Sequence, residues 1–298
     1  MKKAFFQLHI AVFLAGFTGI LGRLIQLNEG LLVWYRLLIS AATMWGLYLF
    51  LGRIQRISFT ELLKITGVGF IAALHWVTFY GAIKYANVSV ALVCFSAVGF
   101  FTALFEPVIL KKPWNKSDLL LGLLVIGGIF IIFQFDTRFK TGILTGLLSA
   151  VLGSLFPIYN RQFLKRMNVE TLITYELTGG LVLLTLFLPL YLHYLPAAAW
   201  FPDAPSLGWL LVLSWVCSVL AFQLSSNALK HVTAFTVNLT YNLEPVYGIV
   251  LAFLIFGENK YLGTGFYIGF GVIAIALVIH LVLLIRTETR LVSGATGA

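Results

Sequence analysis

The sequence predicts an all-α, polytopic membrane protein with ten transmembrane helices in two inverted five-helix repeats. Three observations carry that expectation: an extreme apolar composition, ten apolar windows of bilayer length, and a weak internal duplication. Hydrophobic residues make up 60% of the 298-residue chain and charged residues only 10%. The mean hydropathy is +0.97, well outside the range of soluble globular domains.

A helix crosses about 30 Å of hydrocarbon with roughly 20 apolar residues. The qualifying windows are 4–22, 31–51, 62–83, 88–110, 118–135, 141–160, 171–192, 207–228, 233–256 and 261–285. Runs such as Leu119–Phe135 are apolar on every face. Strands of an outer-membrane barrel alternate instead, so the windows read as helices. The first window follows Lys2 and Lys3, has no small-residue cleavage site and runs into Arg23, which makes it a retained helix rather than a removed signal peptide.

Basic residues gather in the segments 52–58, 111–117 and 161–168 and at both termini, whereas the alternate loops carry Arg23, Lys84, Arg138, Lys140 and Lys260. The positive-inside rule therefore places both termini in the cytoplasm, and the inner membrane of a bacterial-type cell is the expected location. The net charge of +9 is then a matter of loops meeting anionic lipid, with no nucleic-acid partner required.

Several classes find no support. Cys94 and Cys217 lie inside apolar windows and offer neither a disulfide framework nor a thiolate metal site. No His/Cys/Asp/Glu cluster has metal-ligand spacing, and no phosphate-cradling loop is present. Gly263, Thr264 and Gly265 followed by Gly269 miss the dinucleotide spacing, and these glycines, like Gly142 and Gly146, fit close helix packing. No metal or cofactor is expected.

Sliding the chain by about 146 residues aligns Ala82-Ile83-Lys84-Tyr85 with Ala228-Leu229-Lys230-His231, then Phe95 with Tyr241 and Ile109 with Ile255. Lys84 ends the third helix and Lys230 the eighth, so each repeat holds five helices and the two halves cross in opposite directions. The expected organisation is one repeat at 1–139, a second at 140–290 and a disordered tail at 291–298. Inverted repeats are typical of secondary transporters, whose sites lie near the midplane between the halves.

Ala228-Leu229-Lys230-His231-Val232-Thr233-Ala234, then Asn242-Leu243-Glu244-Pro245-Val246 and Phe256-Gly257-Glu258, resemble the signature of the EamA-type drug/metabolite transporters. The resemblance implies ten helices around a central cavity and export or exchange of small metabolites, amino acids or drugs. The first half departs from it. Glu244-Pro245 aligns with Val98-Gly99, the pair Glu106-Pro107 falls eight residues later, and Glu258 aligns with Lys112. The site is therefore expected to be asymmetric.

Ionisable groups in mid-membrane are costly and should face a wet cavity or a partner. Glu244 is the candidate proton-coupling residue, equally readable as a carboxylate that holds a kink at Pro245. Asn238 and Tyr241 precede it at steps of three on one helical face, and Asn242 stands off that face. His75, Trp76, Phe79 and Tyr80 mix titratable and aromatic groups on the third helix, suited to an amphipathic solute or to packing. Arg36 reads either as a fork for a substrate carboxylate or as a side chain that snorkels to the interface. Gln223 and Asn227, one turn apart, line the cavity or bind neighbouring helices. Glu106 reads as a partner of Lys111 or Lys112, and Glu176 as reaching the head-group layer.

The expected partners are a small-molecule solute, the lipid bilayer and protons. A membrane-embedded enzyme acting on a lipid-soluble substrate would instead gather a polar catalytic cluster near one membrane face. A structural membrane protein would pair all of its intramembrane charges and leave no solute path.

Overall fold

The computed structural model describes residues 2–135, 137–229, 240–241 and 243–295. All regular structure among them is helical. In chain order α1 spans Lys2–Leu24, α2 Glu29–Phe50, α3 Phe59–Tyr85, α4 Val88–Phe95, α5 Val98–Leu110, α6 Lys116–Phe135, α7 Lys140–Phe163 and α8 Val169–Tyr194. Then come α9 at Ala204–Ser214, a π-helical stretch at Trp215–Leu220, α10 at Ala221–Leu229, α11 at Glu244–Phe256 and α12 at Thr264–Ala295. Eight helical segments among the described residues are long and apolar enough to cross a membrane, and two shorter apolar ones are Glu244–Phe256 and Thr264–His280.

Short polar residues at the loop exits start the helices by accepting amide hydrogen bonds that have no partner inside the helix. Asn28 caps α2, Asn87 caps α4 and Asn168 caps α8. Ser58 and Glu61 form a reciprocal capping box at α3. Asp203 caps α9, and hydrogen bonds from Ser206 hold its carboxyl below the usual carboxylate range.

Where the sequence predicts one helix at 88–110, Ser96 and Ala97 separate α4 from α5. The helix expected at 207–228 is one continuous run with a π-helical stretch at its centre. Most of the first half of the 233–256 window, with Lys230, Asn238 and Asn242, lies outside the described residues. Pro245 occupies the first turn of α11, where its missing N–H costs nothing and its fixed φ favours helix entry. The last helix continues to Ala295, past the boundary at 290 where a tail was expected, because no proline or glycine interrupts 281–293. Residues 296–298 lie outside the described set.

The duplication recurs in three dimensions. A shift of 146 carries α5, Val98–Leu110, onto α11, Glu244–Phe256, end to end. Both helices finish on a left-handed residue, Lys111 with φ 51° and Gly257 with φ 63°. A shift of 140 carries the cap Asn28 onto the cap Asn168 and the start of α2 onto that of α8. Leu32, Tyr35 and Leu37 then meet Leu172, Tyr175 and Leu177, and Arg36 meets Glu176.

The halves interleave rather than sit apart. α3 packs along both α7 and α8, α2 along α8, α1 against α10 and α11, and α6 against α12. Small residues permit the closest approaches. A Cβ on Gly69 of α3 would come within 2.1 Å of the Glu176 carbonyl on α8, and one on Gly146 of α7 within 2.8 Å of the Cys94 Cβ on α4. Gly142 and Gly146 thus serve as their spacing predicts.

Candidate functional site

Arg36 stands in the eighth position of α2 and its residue is only 6% exposed. It does not snorkel. Its Nη1 donates to the Tyr80 hydroxyl at 2.8 Å and its Nε to the Ser218 hydroxyl at 3.2 Å. The guanidinium carbon lies 4.1 Å from the centre of the Trp76 ring, close enough for a cation–π contact. Inward orientation follows from what α3 supplies: Trp76 and Tyr80 are one turn apart on the same face and present an aromatic wall and a hydroxyl to the cation.

The π-helical stretch explains Ser218. Widening a helix to the i+5 pattern disturbs the usual carbonyl pairing, and the Ser218 hydroxyl donates to the Leu213 carbonyl at 3.0 Å. Its oxygen is then turned toward Arg36. A guanidinium offers five N–H donors, of which two are taken among the described residues. Ser40, one turn further along α2, is buried and its Oγ has no hydrogen-bond partner among the described residues. An unpaired buried hydroxyl on the same helical face as a charge with spare donors is unusual in a finished core.

Glu244 approaches from the other repeat, in the first turn of α11, within electrostatic reach of Arg36 and of the Tyr80 and Tyr241 hydroxyls. The start of a helix favours a carboxylate, because its free N–H groups carry partial positive charge. The structure therefore brings Arg36, Trp76, Tyr80 and Glu244 into one neighbourhood.

The remaining candidates are distributed around it. His75 lies on an adjoining face of α3, where its Nδ1 donates to the Ser149 carbonyl at 2.9 Å and the Ser149 hydroxyl donates to the His75 carbonyl at 3.1 Å. A carbonyl can only accept, so Nδ1 carries a proton. The ring packs with Phe79, Phe95 and Phe156. Tyr241 shares a 2.6 Å hydrogen bond with Ser225 of α10 and packs on Leu8, Val12 and Ala228. Gln223 donates to Tyr48 at 3.4 Å, and Asn227 is exposed. Asn238 and Asn242 lie outside the described residues.

Two sequence expectations about acidic residues change. Glu106 accepts from Lys112 and from Arg161, both at 2.9 Å, so its expected partner is joined by one from the second repeat. Glu176 does not reach the head groups: it is 6% exposed and accepts from Asn160 Nδ2 at 2.8 Å. α3 lies so tightly against α8 at Gly69 that the side chain is enclosed.

Sequence reasoning missed Ser40, Ser218, Glu29 and Glu258. Glu29 accepts from Tyr85 at 2.9 Å and from Tyr191 at 2.6 Å. Glu258 accepts from Arg23, from the amides of Val88 and Ser89 and from the Ser89 hydroxyl. Asn28 beside Glu29 was a local capping signal, and Glu258 stood in the signature Phe256-Gly257-Glu258 without a hint of its distant partners. An apolar cavity of about 570 Å³ lined by Leu120, Leu123, Leu124, Gly127, Ile131 and Val272 contains none of the candidate residues.

A model of the EamA-like transporter family matches residues 2–134 and 140–280. The chain therefore belongs to the EamA-like transporter family, with two copies of its repeat, and is a multi-pass membrane protein. Among curated proteins none matches the sequence. Of the solved structures, 24 chains match. One titled only "Crystal structure of protein" aligns with a TM-score of 0.63 at 17% identity, covering 97% of this chain and 99% of that one. That likeness concerns the fold alone.

Proposed function

Starting from membership of the EamA-like transporter family, we propose that the protein is a secondary active transporter. It exports or exchanges a small metabolite, such as an amino acid or drug-like solute, across the inner membrane by alternating access. Ten spans in two inverted repeats form the frame, and both termini are cytoplasmic. The observation that carries the reading is the buried Arg36, which has donors unpaired among the described residues, an aromatic wall at Trp76 and an acidic residue of the other repeat within reach.

In this reading Arg36 binds a carboxylate or other anionic group of the solute, and Trp76 and Tyr80 shape its apolar part. Glu244 is the proton-coupling group. His75, Gln223, Asn227, Asn238, Tyr241 and Asn242 contribute further polar positions along the path. Energy comes from a proton or solute gradient.

The test is counterflow in liposomes with labelled amino acids, nucleobases and sugars, with and without a pH gradient. Arg36→Lys should weaken binding of an anionic solute on the order of tenfold, because an ammonium cannot reproduce the planar fork. Glu244→Gln should abolish proton-driven uptake and leave exchange, and full pH-dependent uptake in that variant would remove Glu244 from the mechanism. Orientation is checked with an impermeant thiol reagent on intact cells. Cysteine at Asp203 should label and cysteines at Lys116 and Arg166 should not, against a background kept low by the burial of Cys94 and Cys217.

A further inference from the structure

The shift of 140 that superposes the two capping asparagines places Glu176 of α8 where α2 has Arg36. Both are buried to the same extent, 6% exposed. Opposite charge at equivalent positions of the two repeats is a divergence that the interior of a membrane protein does not tolerate without use. Arg36 has hydroxyl and aromatic partners on α3 and the π-helical stretch. Glu176 has one neutral donor, the Asn160 amide of α7 at 2.8 Å.

The other half of that amide is the telling atom. Asn160 Oδ1 is buried and has no hydrogen-bond partner among the described residues. Asn160 Nδ2 donates to Glu176 Oε2, and the unpaired oxygen sits on the same planar amide. Two acceptors side by side repel, whereas a carboxylic acid facing an amide forms a ring of two hydrogen bonds. In that ring the amide N–H donates to one carboxyl oxygen and the acid O–H donates to the amide oxygen. One added proton thereby satisfies both the orphaned acceptor and the buried carboxyl.

We propose that Glu176 and Asn160 form a proton-binding pair in the second repeat, with the proton on Glu176 Oε1 donated to Asn160 Oδ1. The proton enters from water and leaves to water, and no bond other than O–H forms or breaks. Among the described residues of α2, α3 and α7, no cation pairs with the carboxylate. On α2, Arg36 is engaged by Tyr80 and Ser218; on α3, His75 is engaged by Ser149 and Lys64 is exposed; on α7, Arg161 is bound to Glu106. Glu61 is held by Ser58, and the Arg53–Glu170 pair sits at the start of α8. The pair itself rests on no transport assignment. Its consequence does rest on the carrier reading: Glu176 supplies a coupling proton beside or in place of Glu244, toward the opposite membrane face from Arg36.

Infrared difference spectroscopy of the purified, detergent-solubilised full chain reads the pair without any solute. The wild type minus Glu176→Gln spectrum at neutral pH should contain the carbonyl band of a protonated carboxyl, and its absence overturns the proposal. Asn160→Leu keeps the acid and removes its partner, so that band should persist and change frequency. An unchanged band overturns the reciprocal ring, and this variant keeps the test alive if Glu176→Gln does not fold. In liposomes, Glu176→Gln should reduce gradient-driven uptake to the rate seen without a gradient while counterflow persists. Undiminished gradient-driven uptake overturns the coupling role. Failure of the wild-type protein to move any solute would instead sink the carrier reading and leave the infrared result standing.

Discussion

α5 and α11 are copies of one element put to different uses. Each has 13 residues, and each ends on a left-handed residue at the same register. After α11 the chain uses Gly257, which enters that conformation without steric cost, and then Glu258, which crosses to the first repeat and caps α4. After α5 it uses Lys111, which adopts the same conformation against the Cβ penalty, and then Lys112, which turns back to Glu106 of its own helix. The shared backbone shows what the duplication preserved. The side chains differ in how they reach across: at the α5 end the more exposed Glu106–Arg161 pair joins the repeats, whereas at the α11 end Glu258 is a buried tie.

The largest effect should come from cutting that tie. Glu258→Ala leaves two amides, the Ser89 hydroxyl and Arg23 without their common acceptor. A loss of about 3 kcal/mol is expected, read as a lower unfolding temperature in detergent. A change indistinguishable from that of Lys112→Ala would show the two positions to be equivalent after all. Next come the turns themselves. Gly257→Ala should cost about 1 kcal/mol and Lys111→Gly should gain a similar amount, because each exchanges the residue that tolerates a positive φ. Opposite signs in the same unfolding assay test this, and a loss at both positions would mean that the Lys111 side chain matters more than its backbone. Smallest is Lys112→Ala, expected within about 1 kcal/mol, since the lysine side chain is 44% exposed and Glu106 keeps Arg161.

The second comparison, Arg36 with Glu176, repeats the lesson in the membrane interior. Neither direction was legible. The text around Arg36, Trp34-Tyr35-Arg36, suits an interfacial anchor as well as a buried fork, and it is Tyr80 and Ser218, 44 and 182 residues away, that turn it inward. Glu176 looked close enough to a helix end to reach the head groups, but α3 closes over α8 at Gly69 and Gly180. The separation of Trp76 and Tyr80 from His75 and Phe79, about 100° apart around α3, was implicit in their spacing. Which face met the cation was not.

What the sequence by itself determined is what depends on local hydrophobicity and short-range spacing: the helical class, the positions of nearly all helices and the duplication. Those follow because a bilayer admits only segments that satisfy their own backbone hydrogen bonds over a set length. Only the tertiary structure decided the breaks at Ser96–Ala97 and within 215–220, the burial of Arg36 and Glu176 and the cross-repeat role of Glu258. These depend on partners far apart in the chain, as Arg23 and Glu258 are at a separation of 235 residues. A charge buried among helices takes its direction from whichever neighbours supply the hydrogen bonds, and those neighbours exist only once the helices have packed.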